Sequence, residues 1–159
     1  MTRAQRRWLV KSEPTTFSWQ DLWKAPRRTT CWDGVRNFQA RNYLRDEMQV
    51  GDPVFFYHSN ADPTAIMGIC EVVRAGYPDD TAFDSKSDHF DPKSDHAHPT
   101  WYMVDLRAVR PLHVPPTLAR LREERGLANM VLLKKGSRLS VQPVTDQEWK
   151  IIERIGATG

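Results

Sequence analysis

Val54-Phe55-Phe56-Tyr57 is a run of large apolar side chains set between the turn Gly51-Asp52-Pro53 and the polar stretch His58-Ser59-Asn60. Successive residues on a strand point to opposite faces, so such a run fits a buried strand rather than one lying on water. A second apolar run, Ile66 to Val73, follows the turn-rich Ala61-Asp62-Pro63 and contains Gly68, a residue that permits a bulge or close backbone approach. The two predict a hairpin. Trp8 to Lys11 reads as an earlier strand, ended by Ser12-Glu13-Pro14 because the residue before proline is biased away from helix. Trp101 to Val109 alternates Tyr102, Val104, Leu106 and Ala108 on one face and is the longest strand candidate.

Helix signals are short and interleaved with these strands. Ser18 with Asp21 forms a capping signal that places Trp19, Leu22 and Trp23 on one face, with Ala25-Pro26 as the stop. Thr117 to Arg125 reads as a charged helix stopped by Gly126, and Met130 to Leu133 as a short apolar element. Ser137 to Val141 alternates as a half-exposed strand would. Thr145 and Glu148 make a capping box for a last helix that buries Trp149, Ile152 and Ile155, with Gly156 at its end. Residues 76–99 are rich in Asp, Ser, His and Pro and are expected to form one long surface loop, functional or mobile. The order predicts an α+β fold with a small curved or closed sheet, one domain over 8–156 behind a disordered basic tail at 1–7.

Charge narrows the function. Lys and Arg number 23 against 20 acids, giving +3 and a pI near 9.0, far from a protein that coats nucleic acid indiscriminately. Any nucleic-acid contact should therefore be local, confined to a few phosphates and sensitive to salt. No apolar run approaches the ~20 residues a membrane helix needs, and no signal-peptide core follows the tail. Cys31 and Cys70 have no partner motif and read as reduced thiols, which fits a cytoplasmic protein. The six tryptophans are more than one core ordinarily uses, so one or two are free to line a pocket.

The stretch Cys31 to Arg45, CWDGVRNFQARNYLR, concentrates groups that suit an unstacked base and its phosphates. Trp32 supplies an aromatic plate and Asn37 an amide. With a helix starting near Val35 or Arg36, Asn37, Arg41 and Arg45 share one face, and Arg36 and Arg41 become phosphate contacts. Three strand ends carry polar groups where the apolar run gives out: Lys11-Ser12-Glu13, Tyr57-His58-Ser59-Asn60 and Ser137-Arg138-Leu139-Ser140. The alternatives are an amphipathic helix with solvated arginines, Trp32 in the core, and ordinary strand-to-loop transitions. His89, His96 and His98 among aspartates lack the fixed geometry of structural zinc. A GxSxG elbow and a Gly-rich phosphate loop are both missing. Neither metal nor cofactor is expected.

WLVKSEP at 8–14, WDGVRNFQARNYLR at 32–45, GDPVFFYHS at 51–59, YPD at 77–79 and SRLSVQPV at 137–144 closely resemble the EVE domain family, in order and over nearly the whole chain. That resemblance implies a PUA-like fold, a small β-barrel flanked by short helices, related to the YTH readers of methylated adenine. It also implies a pocket for a modified base in DNA or RNA. By that likeness Lys11, Ser12, Trp32, Val35 and Asn37 form the pocket. Tyr57, His58 and Ser59 stand opposite, and Arg138 and Ser140 lie on the rim, where they join Arg36 and Arg41 as contacts to the nucleic-acid backbone. After Trp32, Asp-Gly-Val-Arg replaces the small hydroxyl residues usual in YTH domains, which makes a modified pyrimidine as good a ligand as methyladenine. The expected function is a non-catalytic, monomeric reader of a flipped or unpaired modified base. Two other readings stand beside it: an amidohydrolase acting on acylated cytidine through Lys11 and Glu13, as in some PUA-like relatives, and a protein-interaction scaffold.

Overall fold

The structure, a computed structural model, describes residues 5–136 and 138–158. Its strands are β1 (Arg7–Ser12), β2 (Thr29–Cys31), β3 (Pro53–His58), β4 (Ala65–Pro78), β5 (Tyr102–Pro111) and β6 (Val141–Val144). They form one six-stranded sheet in the order β2-β5-β4-β3-β1-β6. β3 and β4 are the predicted antiparallel hairpin, with Phe56 opposite Gly68. On its other side β3 runs parallel to β1, from Trp8 opposite Val54 to Ser12 opposite His58.

Alternation along β3 divides the core. Val54 and Phe56 enter one cluster with Trp8, Trp19, Trp32 and Val35. Phe55 and Tyr57 enter another with Leu9, Leu121, Met130 and Trp149. Both faces of β3 are thus covered by protein, which is why its sequence is apolar without a break. The second face is closed by α4 (Asp146–Thr158), capped by Thr145 and Glu148, whose Trp149 stacks on Phe55 at 3.7 Å. The first face is closed by α1 (Trp19–Lys24), with the predicted Ser18–Asp21 capping box.

Gly68 is where α1 meets the sheet. A Cβ there would lie 2.4 Å from the Trp19 ring, and that ring is itself stacked on Trp23 and set edge-on to Phe56. Gly68→Ala is therefore expected to destabilise the protein by about 1–3 kcal/mol through overpacking, read as a lower midpoint in urea at unchanged slope.

Several expectations are corrected. The sheet is open rather than closed into a barrel. Its edges β2 and β6 are only three and four residues long, and no ladder joins them among the described residues. Asn37 caps α2 (Phe38–Asn42) instead of lying within it, and a π-helical turn over Tyr43–Glu47 follows, so Asn37, Arg41 and Arg45 share no regular helical face. The segment expected to loop from residue 76 continues β4 to Pro78. The irregular chain after it is anchored by buried Asp79, Ala82 and Ser94. Strand β6 begins at Val141, because the Leu139 carbonyl is taken by Gln142 Nε2 at 2.8 Å; Ser137 lies outside the described residues.

α4 continues through Gly156, whose missing side chain leaves room for Leu112. Of the basic tail, Gln5 bonds the Gly51 carbonyl, Arg6 pairs with Glu47 and Arg7 begins β1. Residues 1–4 lie outside the described part. Cys31 is exposed and Cys70 buried, both as free thiols. Among the described residues no helix is long and apolar enough to cross a membrane.

Candidate functional site

At the C-terminal end of β1, on the face that carries Phe56, a cavity of about 490 Å³ opens to solvent. The end of β1 and the turn after it supply Lys11, Ser12, Glu13, Thr16 and Phe17. The end of β2 and the segment leaving it supply Thr30, Cys31, Trp32, Asp33, Gly34, Val35 and Arg36. His89 leans in from the irregular segment after β4, and Ser140 from just before β6. Trp32 and Val35 are core residues that also line this cavity, 8% and 6% exposed. Trp32 is held edge-on by Phe56 and Phe17, at ring distances of 5.5 and 6.5 Å. Its plane is thereby set by packing before any ligand arrives.

The 33–36 segment takes its shape from one carboxylate. Asp79, fully buried, accepts from Gly34 N at 2.8 Å, Arg36 Nη1 at 3.1 Å, and the amide and hydroxyl of Thr81 at 2.9 and 2.5 Å. Burial pushes its carboxyl up, but the bonds from Thr81, Gly34 and Arg36 outweigh that and hold it below the usual range. Arg36 in turn donates to the His89 carbonyl at 2.6 Å, fastening the His89 segment to the pocket wall. Gly34 has φ +76°, and a Cβ there would meet the His89 ring at 2.6 Å. Only glycine satisfies both the turn and the ring lying over it.

Two ionisable groups on the wall are tuned by their surroundings. Burial, and then the charge of Asp79, raise the Asp33 carboxyl, while His89 and Arg36 oppose the shift. Burial lowers the Lys11 amine. The combination of an aromatic wall, an apolar corner at Val35 and a few donors and acceptors is the chemistry that holds one flat heterocycle.

The structure brings together Lys11, Ser12, Trp32, Val35, Arg36 and Ser140 of the predicted residues. It places the others elsewhere. Asn37 is exposed, and its Oδ1 accepts from Ala40 N at 2.9 Å as a helix cap. Tyr57 points to the opposite face of β3 and, with Ser59, lines a different cavity. His58 accepts from Trp19 N at 3.0 Å through Nε2, tying α1 to β3; burial lowers its pKa, which keeps that nitrogen unprotonated. Arg36 is committed to Asp79 and His89, and Arg41 donates to the Thr100 carbonyl at 2.8 Å, so both guanidiniums hold the fold instead of facing outward to phosphates. Arg138 is exposed and does not line the cavity. Glu13 accepts from Asn60 Nδ2 at 2.7 Å and forms no ion pair with Lys11.

Thr16, Phe17 and Thr30 carry no signal for the cavity wall in the sequence, and His89 stands out there only as a metal-ligand candidate. The length and polarity of its segment mark function without naming a residue.

The EVE domain profile matches residues 6–155. The chain is 42% identical to human thymocyte nuclear protein 1 over 162 aligned positions, covering 91% of this chain and 71% of that protein. The crystal structure of human THYN1 protein in complex with DNA containing 5-methylcytosine superposes with a TM-score of 0.92, at 40% identity over 98% of this chain and 99% of that one. A hypothetical protein from Leishmania major superposes at 0.89, with 45% identity and 96% and 95% coverage. The chain belongs to the EVE domain family.

Proposed function

We propose that this protein is a non-catalytic reader that takes a modified base, flipped or unpaired, into the Trp32 pocket, with 5-methylcytosine in DNA as the foremost ligand. One observation carries the reading: an open cavity walled by a pre-positioned tryptophan, in a chain that superposes on human THYN1 bound to 5-methylcytosine DNA at a TM-score of 0.92. Extracting a base costs a few kcal/mol, and stacking on an aromatic ring returns about 1–3 kcal/mol. A methyl group placed against an apolar corner such as Val35 adds about 0.8 kcal/mol. These terms nearly cancel, so affinity is modest and highest where the base is already unpaired. The methyl alone gives a preference of only about four-fold, and larger selectivity comes from hydrogen bonds to Asp33 or the wall hydroxyls.

The test is a titration with oligonucleotides carrying a single 5-methylcytosine, paired or bulged. Trp32→Ala is expected to weaken binding roughly 5- to 150-fold, the loss of one stacked ring. Because Trp32 is a core residue, Thr16→Trp serves as a second variant: it fills the cavity from an exposed position and should abolish methyl preference in a protein that melts as wild type does. Wild-type binding by both variants would place the ligand elsewhere. Acylated cytidine should survive long incubation unchanged; its hydrolysis would overturn the non-catalytic reading.

A further inference from the structure

Of the arginines expected to hold phosphates, Arg36 and Arg41 are engaged by internal partners and Arg138 stands exposed outside the Trp32 cavity, so further cations that face the backbone are sought elsewhere. A second cavity of about 460 Å³ lies across β1 from the base pocket, and Lys11 lines both. Its other cations are Arg122 from α3 (Leu118–Arg122) and Lys134 and Lys135 from the turn before β6. Ser59 and Thr64 add hydroxyls, and no carboxylate lines the cavity among the described residues.

In a chain whose net charge is only +3, four cations around one concavity is a strong local concentration. Their charge is also uncompensated. Arg120, two residues from Arg122, pairs with Glu123 and Glu124, whereas Arg122, Lys134, Lys135 and Lys11 form no ion pair with any described residue. Arg122, Lys134 and Lys135 are exposed. The apolar part of the wall, Leu132 and Leu118, belongs to the second core cluster, so the cations stand on a packed base.

The fold makes the two cavities neighbours. Alternation along β1 sends Ser12 to the Trp32 side and Lys11 to the Tyr57 side, so one strand end separates them. The Ser59 amide donates to the Ser12 carbonyl at 2.9 Å, and Glu13 of the base pocket accepts from Asn60 of the second cavity at 2.7 Å. These bonds lock the ridge between the two.

We infer that this basic cleft, formed by Lys11, Arg122, Lys134 and Lys135, binds the phosphates that flank the base held in the Trp32 pocket. The inference rests on the base-reading function proposed above. The cleft supplies sequence-independent affinity, and the pocket supplies the discrimination.

The test compares a duplex containing one 5-methylcytosine, its unmethylated twin, and free 5-methyldeoxycytidine, across a salt series. In the variant Arg122→Gln/Lys134→Gln/Lys135→Gln, affinity for the two duplexes should fall by a common factor of about ten at low salt. The slope of log K against log salt should shrink by about 0.9 for each phosphate that is no longer neutralised. Methyl preference, nucleoside binding and melting temperature should stay as in wild type, since these side chains are exposed and outside the pocket. An unchanged slope overturns the inference. So does an equal fall in slope from the control Arg107→Gln/Arg110→Gln/Lys150→Gln, which removes the same charge from β5 and α4. If wild type shows no methyl preference and no nucleoside binding while the cleft variant alone lowers the slope, the base-reading function fails and the cleft stands as a phosphate site.

Discussion

Asp79→Ala is expected to cost about 3 kcal/mol of stability and to reduce binding of 5-methylcytosine DNA by more than an order of magnitude. Asp79 is fully buried and satisfies the Gly34 amide, the Arg36 guanidinium and both donors of Thr81. Alanine leaves the Gly34 amide and the Thr81 donors without this acceptor and takes from the half-buried Arg36 its carboxylate partner, the situation in which removing one partner is most destabilising. The pocket suffers more than the sheet does. Gly34 is no longer held at φ +76°, and Arg36 loses the carboxylate that aims it at the His89 carbonyl, so the 33–36 wall and His89 drift together. Asp79→Asn keeps an acceptor for Gly34 but no charge for Arg36, and should fall between alanine and wild type. Urea unfolding and oligonucleotide titration check both effects; an alanine variant that binds and unfolds as wild type does would remove Asp79 from the site.

The same carboxylate gives a pH signature. Its folded pKa lies below the usual value of about 3.9. Its contribution is therefore complete above that value and is lost as pH falls through the lower, folded pKa. Wild-type stability should drop in this acid range with a component that Asp79→Asn lacks, and near neutral pH this group should give neither protein any pH dependence.

Phe56→Ala is expected to cost about 3–5 kcal/mol, the range for emptying a buried aromatic site. For a chain of this length that lowers the melting temperature by about 10 °C. Phe56 is fully buried and is the common support of four aromatic side chains: it stands 5.5 Å from Trp32, 5.6 Å from Trp19, 6.5 Å from Phe17 and 5.7 Å from His58, ring to ring. Its removal frees Trp32 to tilt into the void, so binding weakens even in the fraction that stays folded. Phe56→Leu fills most of the space and should retain the fold with a smaller loss, under about 1.5 kcal/mol. If Phe56→Leu loses binding while holding its melting temperature, the edge-on ring contact itself positions Trp32. If Phe56→Ala binds normally once folded, Trp32 is not held by this floor.

The hairpin of β3 and β4, the strand β5, and both capping boxes were legible because each rests on interactions within a few residues of sequence. A hydroxyl and an acid three positions apart declare a helix start, and an unbroken apolar run declares a buried strand. The pocket was legible only where it follows a strand end, at Lys11 and Ser12, or where an aromatic sits beside a turn, at Trp32 and Val35. Asn37 misled because an amide next to a helix start is as useful for capping as for reading a base, and spacing alone does not choose between them. Arg36 and Arg41 misled for the same kind of reason: whether a guanidinium faces solvent depends on a carboxylate or carbonyl far away in sequence, at Asp79 and Thr100.

By itself, then, the sequence determined the local elements, the family likeness, and the presence of an aromatic residue at a turn, since these depend on side-chain period, capping chemistry and motif order. Only the tertiary structure decided that the sheet stays open, that Tyr57 and Ser59 line a different cavity from Trp32, and that His89 lines the Trp32 cavity. The physical reason is parity along a strand: a shift of one residue sends a side chain to the other face, and which face holds a cavity is settled by what packs there from distant parts of the chain.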